Sequence, residues 1–436
     1  MIARRDFCAL LGLSALGLAG CGGEGVGAAA TATQLRVINL IPNAQSIIVQ
    51  LDADPPIVSG LAYQSLTGYL NITQGLHEIK VSVDGGATNI IDTTFTFLSG
   101  TQFTFIAYGP VEAVHSSILL DTVILFPDGG TFAVRVNNVA TGSLGLDVYL
   151  TPPGVDLTET APVIAHVVVG SLSAFVAVPT PTDTYELRIT PTGTKEVIYD
   201  AVGVPFGDKS LAQIIVFGTG SAKLVDAAVL NIDTAGTGQV FQNLLSQFKL
   251  LNASSIPSVN VLVDGVLTLA NVPFAGVSSY QKVAAGPHNI SVQSSATPGA
   301  DLLTIFANLP SASDTSIVVS GSPGALQGLV LSDNNLPAAV GRSRVRFVNA
   351  SPDLVAMDVY VNFVKQFAGI ASNSASPYTE LTADTTVGTT YEFDFNLAGT
   401  TNRVLQLPVT ITSGKTYSVY VVGAAAALQG VVVADD

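Results

Sequence analysis

The chain has 436 residues, which at about 150 per domain gives three domains, or four if the units are β-sandwiches of about 100 residues. Lys and Arg number 17 against 32 Asp and Glu, a net charge of -15 that argues against a phosphate-binding surface and against nucleic acid as a partner. Charged residues are 11% and hydrophobic ones 48%, too apolar for a disordered chain.

In chain order the first element is an export signal. Arg4 and Arg5 form a charged start, and residues 7–18 are uncharged but too short to span a bilayer. Leu18-Ala19-Gly20-Cys21 resembles the bacterial lipobox. That resemblance implies a diacylglycerol on the Cys21 thiol, cleavage on its N-terminal side, and small residues at Ala19 and Gly20 to fit the peptidase cleft. Arg4-Arg5-Asp6-Phe7 also resembles the twin-arginine export motif through its paired arginines and Phe7, so that route and the general secretory route both stay open. Cys8 and Cys21 are the only cysteines. Removal of the first and acylation of the second leave no disulfide, thiol catalyst or cysteine-zinc site, and no cofactor is expected. Residues 1–20 are thus read as a lipoprotein signal peptide. Residues 21–34, rich in Gly, Ala and Thr, are read as a flexible tether.

The remainder is a repeat. Four segments open with a basic residue three places before an asparagine: Arg36 and Asn39, Arg135 and Asn138, Lys249 and Asn252, Arg346 and Asn349. A short turn and a second strand follow each, at 48–51, 147–150, 259–263 and 358–361. Further on, Gly75-Leu76-His77-Glu78-Ile79 matches Gly286-Pro287-His288-Asn289-Ile290, with Tyr185 and Tyr391 at the histidine position of the other copies. Alternation there puts Ile79, Leu187, Ile290 and Phe393 on one face and Glu78, Lys80, Glu186, Arg188, Glu392 and Asp394 toward water. Residues 240–248 are the one stretch outside the leader that could form a turn of helix. Turn-rich junctions set the units at 35–130, 131–242, 243–338 and 339–436. The class expected is all-β: four tandem antiparallel β-sandwich domains. Whether they form a rod or pack in pairs is open.

Arg344-Val345-Arg346-Phe347-Val348-Asn349-Ala350-Ser351-Pro352-Asp353, followed by Met357-Asp358-Val359-Tyr360-Val361, resembles the opening of the bacterial domain of unknown function 4397. The likeness is weakest in the second unit, where Thr141-Gly142 replaces the Ser-Pro-Asp turn. It implies an immunoglobulin-like sandwich in exported and surface proteins, and carries no catalytic or ligand-binding residue.

Chemistry-bearing residues are sparse. His77 and His288 alternate with tyrosine between copies, so the position selects a flat amphipathic ring. His115 and His166 are isolated. Asp52, Asp54 and Asp84 fall short of a calcium loop, and Asp84-Gly85 and Asp264-Gly265 read as hairpin turns. Tyr63, Tyr69, Tyr280 and Tyr378 are the available platforms for sugar stacking. No nucleophile elbow or phosphate loop is present. These observations lead to a lipid-anchored, non-enzymatic envelope protein acting as a spacer or interaction surface, held to the membrane through Cys21. The outer membrane or cell surface is favoured, since Gly22 follows the cysteine. The alternative is an adhesin that binds a surface glycan or envelope protein with loops at the sandwich ends. Oligomeric state is left open.

Overall fold

The computed structural model describes residues 32–86, 88–122, 127–232, 235–336 and 338–435. The leader and tether, with Arg4, Arg5, Phe7, Leu18, Ala19, Gly20 and Cys21, lie outside them.

The described chain is built of β-strands, apart from one 3-10 turn at Val111–Ala113. Its eight sheets form four sandwiches. In the first unit, one sheet pairs Thr33–Leu40 with Gln102–Tyr108, and the latter with His115–Leu120. The other sheet orders Val58–Ala62, Ser46–Leu51, Gly75–Val83 and Asn89–Phe97. The same two sheets recur around the first strands Thr131–Asn138, Leu245–Ser254 and Arg342–Asn349. Within this antiparallel plan the described residues of each unit hold one parallel pair, between the first strand and Gln102–Tyr108, Leu211–Gly218, Asp314–Gly321 or Thr416–Val422. Parallel neighbours need a long crossover, and here the whole second sheet supplies it.

The first strand explains the repeat signature. Residues at odd spacing on a strand face opposite ways. Leu35 and Val37 therefore enter the core of unit 1, together with Asn39, whereas Arg36, Ile38 and Leu40 face out of the sandwich. Each asparagine is buried and joins the two sheets. Its Oδ1 accepts the N–H two residues on, and its Nδ2 donates to a carbonyl of the facing sheet: Leu61, Val167, Val272 or Ile370.

The outward face of each first sheet is covered by another unit. Ile38, Leu40, Ile106 and Leu119 of unit 1 share a core with Val139, Ile215, Phe217 and Leu230 of unit 2. Leu251, Ala253 and Val318 of unit 3 share one with Val348, Tyr420 and Val422 of unit 4. The units pack face to face in two pairs.

Two local expectations are corrected. Residues 240–248 form strand Gly238–Phe241 and the start of Leu245–Ser254, not helix. The latter strand is buried on both faces, which erases the period-two pattern. Glu186, Arg188 and Asp394 are buried, not in water. Glu186 accepts the Gly154 N–H at 2.6 Å from an overlying loop and pairs with Arg188, and Asp394 pairs with Arg403. Burial, with Glu186 alongside, pushes the neighbouring Asp200 carboxyl up to about 6.

Candidate functional site: buried seams and a cleft at the free end

Each seam is organised by the basic residue of the repeat. The residue after it donates its N–H to a hydroxyl at Thr67, Ser173, Ser278 or Ser376. Two residues beyond that hydroxyl an aromatic ring lies against the cation: Tyr69 under Arg36, Phe175 under Arg135, Tyr280 under Lys249 and Tyr378 under Arg346, at 4.6 to 5.1 Å. Three of the tyrosines considered as sugar platforms are thus enclosed in seams, and Tyr63 packs against the first seam's apolar core.

The counter-charges differ between the pairs. In the second pair Arg346 reaches across to Asp333, and Lys249 reaches back to Asp435. Tyr280 and Ser316 donate to Asp333 at 2.6 and 2.7 Å, and Ser418 donates to Asp435 at 2.6 Å. In the first pair a single carboxylate, Asp121, serves both Arg36 at 3.3 Å and Arg135 at 3.0 Å. Unit 2 has Ile232 at the position of Asp121, Asp333 and Asp435, hydrogen-bonded to Leu211 as Asp121 is to Gln102. Arg36 turns its remaining nitrogen to the carbonyls of Asn231 and Thr237, at 3.0 and 3.3 Å. Burial lowers the Arg135 guanidinium against the pull of Asp121, and repulsion from Arg36 adds to that.

At the far end of each first strand, loops from both members of a pair meet. Those of the first pair are covered by the base of the second. Asp314, at the start of a unit 3 strand, accepts from Ser221 Oγ at 2.5 Å and from the Ala222 N–H at 2.7 Å, both in the unit 2 loop. Gln247 and Asn335 complete its shell at 2.7 and 2.6 Å, yet burial still raises its carboxyl. Thr219 donates to the Ala312 carbonyl at 2.6 Å, and Arg344 of unit 4 faces Glu112 of unit 1 at 3.8 Å. The corresponding loops of the second pair frame an open cleft of about 690 Å³. Ala253, Phe274 and Gln327 of unit 3 line it with Pro352, Asp353 and Ala424 of unit 4. Gly321 and Gly423 turn its rim at φ 96° and 94°, where a side chain would meet the carbonyls of Ala325 and Ala427.

Asp226 forms a third buried group. It accepts the Asn243 N–H at 2.8 Å and the Gln64 amide of unit 1 at 3.1 Å, and burial pushes its carboxyl up to about 7.

The histidines are tied into the fold. His77 Nδ1 lies 2.6 Å from Asp52 and Nε2 3.0 Å from the Thr73 carbonyl; His288 makes the same pair of contacts with Asp264 and Ala284 at 2.7 Å. Tyr185 and Tyr391 send their hydroxyls to the equivalent carbonyls of Pro179 and Thr382. The position is therefore a ring that clips a strand start to the facing sheet. Backbone donation from Glu78 and contact with His77 hold Asp52 below the usual carboxylate range; for Asp264 the His288 contact leads. Asp84 accepts from Ser46, Asp54 is exposed, and His115 and His166 are exposed and apart. Asp264 and Gly265, at φ 48° and 83°, form the tight hairpin turn expected. Among the described residues no three His, Cys, Asp or Glu cluster as metal ligands, and no helix is long and apolar enough to cross a membrane.

The seam carboxylates Asp121, Asp333 and Asp435, and the junction groups Asp226 and Asp314, went unmarked in the sequence reading. The first three were accessible to it, since each directly follows or ends the last aligned strand.

A family model described as a domain of unknown function (DUF4397) matches residues 33–149, 246–360 and 343–436. Each of the first two matches runs through one unit and into the opening strands of its pair-mate, and the rest of unit 2 lies outside all three. No curated protein matches the chain. Among solved structures, the Bacillus anthracis TIE protein is 9% identical with a TM-score of 0.17, over 87% of this chain and 69% of that one. CBMbc (family CBM26) from Eubacterium rectale Amy13K, in complex with maltoheptaose, is 12% identical with a TM-score of 0.16, over 45% of this chain and 96% of that one. At these scores neither likeness bears on function.

Proposed function

The chain belongs to the DUF4397 family, and from that premise we propose that it is a lipid-anchored, non-catalytic envelope protein whose four sandwiches act as a spacer that carries an interaction surface. Lipid on Cys21, exposed after cleavage behind Leu18-Ala19-Gly20, fixes it to the membrane. Arg4, Arg5 and Phe7 direct export. The observation that carries the spacer role is the direction of the stack. The described chain enters at Thr33, at the base of the first pair, and the base of the second pair stands on the loop end of the first. Successive pairs therefore extend away from the tether. Gly22 after the lipidated cysteine favours the outer membrane or cell surface. Labelled palmitate should enter the wild-type protein and not Cys21→Ala; equal labelling of the two refutes the anchor. A broad ester and glycoside panel should show no turnover.

The second reading, an adhesin or glycan- and protein-binding module, is favoured by the cleft. It lies at the sandwich ends, remote from the tether, and combines an aromatic ring, Phe274, with polar groups of Gln327 and Asp353.

A further inference from the structure

The seam of the second pair holds a chemical possibility that the first lacks. Three copies put arginine at the seam-facing position of the first strand, and unit 3 puts Lys249 there. A guanidinium against a carboxylate has one stable form, the ion pair. A primary amine against a carboxylic acid can also condense with it. Lys249 Nζ is paired with Asp435 Oδ1 of the other unit, with side chains 3% and 0% exposed. The Tyr280 ring covers Nζ at 4.6 Å, and Ser418 donates to Asp435 Oδ2 at 2.6 Å. The amine is held against the carboxyl, and water is kept from both. We propose that Lys249 and Asp435 form an intramolecular isopeptide bond that joins units 3 and 4 covalently.

The atoms balance without a co-reactant. The ammonium of the ion pair returns one proton to the Asp435 carboxylate, leaving a neutral amine beside a neutral acid. The nitrogen lone pair attacks Cγ, and the Ser418 hydroxyl stabilises the negative charge that collects on Oδ2. The Cγ–Oδ1 bond breaks, and the departing hydroxyl takes a second proton from nitrogen. The products are an Nζ–Cγ amide and one water, which leaves a closed seam that does not readmit it. Burial pushes the Asp435 carboxyl toward its protonated form, with Lys249 opposing and Asp333 assisting. The pairs Lys365–Asp358 and Lys80–Glu78 stay ionic, because their amines are 43% and 28% exposed and a hydrated ammonium keeps its proton. The bond ties the first strand of unit 3 to the residue after the last strand of unit 4.

The full chain, denatured and digested with trypsin, reads the bond directly by peptide mass. The expected product is residues 224–282, uncut at Lys249, joined to residues 416–436 and one water lighter than the two peptides together. Recovery of 224–249, 250–282 and 416–436 as separate unmodified peptides overturns the proposal, and needs no variant to fold. Lys249→Arg keeps the charge and adopts the residue of the other copies. It should yield only linear peptides and melt at a lower temperature than wild type. A joined peptide from that variant also overturns the assignment.

Discussion

The two pairs are built alike and neutralised differently. The second seam sets two cations against two carboxylates, Asp333 and Asp435, whereas the first sets two guanidinium groups against Asp121 alone. The difference rests on one residue, Ile232, in unit 2. Unit 2 is also the copy whose loop after Gly218 supplies Ser221 and Ala222 to Asp314 of unit 3. Unit 1 also meets a pair-mate on its face and the second pair on its end, there through Glu112 and Arg344. The sheets of unit 2 keep the common topology although most of that unit lies outside the family matches. The comparison teaches that the charge at a seam and the use of a loop end can vary without changing the sandwich.

The largest effect should come from Asp121→Asn. It leaves two buried guanidinium groups with no carboxylate and should cost about 3–5 kcal/mol in urea unfolding. Asp333→Asn, which strands one guanidinium, Arg346, where Asp121→Asn strands two, should cost clearly less. Equal costs would break the comparison. Next, adding Ile232→Asp to Asp121→Asn places a carboxylate where the other copies have one, beside the Arg36 guanidinium. About 1–2 kcal/mol should return in a double-mutant cycle. A further loss would mean that the four copies are not interchangeable at this position.

Asp226 gives a pH-dependent contrast, because the pairing register puts Gln327 and Gln429, neutral amides, at its position in the second pair. With its carboxyl raised from 3.8 to about 7, the native state holds a proton that the unfolded state has released. The contribution of this group is therefore fully present below pH 3.8 and is lost as pH rises toward 7, at no more than about 1.4 kcal/mol per pH unit. Urea midpoints should fall across that window, and the fall should be shallower in Asp226→Asn. Parallel slopes for the two proteins would remove Asp226 from the account. The smallest stability effect belongs to the cleft. Ala424→Trp fills a surface concavity and should change stability by less than about 0.5 kcal/mol.

The parts of this architecture that depend on one strand were readable in the chain. The three-residue offset between Arg346 and Asn349 sends one side chain to the seam and the other to the core, so the pair marks a strand buried on both sides. Asp264-Gly265 announced its hairpin, and the His77/Tyr391 exchange announced a shared ring. What depends on two units was not readable. Glu186 and Arg188 fit an alternating solvent face, and only the loop folded over them makes them buried. Residues 245–248 lost their strand signature because both faces are covered. Asp121 looks like a linker carboxylate until unit 2 is set against it, and no single copy outlines the cleft, since a third of its lining comes from the pair-mate.

The most direct test of the account is a glycan and matrix-protein array probed with the mature chain, its Ala424→Trp variant, and a variant altered at the exposed tip of unit 2, Leu144→Ala. The account predicts a specific signal that Ala424→Trp abolishes and Leu144→Ala leaves intact, because the open loop end of the second pair is the interaction surface it proposes. Specific binding that survives Ala424→Trp, or no binding by the wild-type chain, would contradict it.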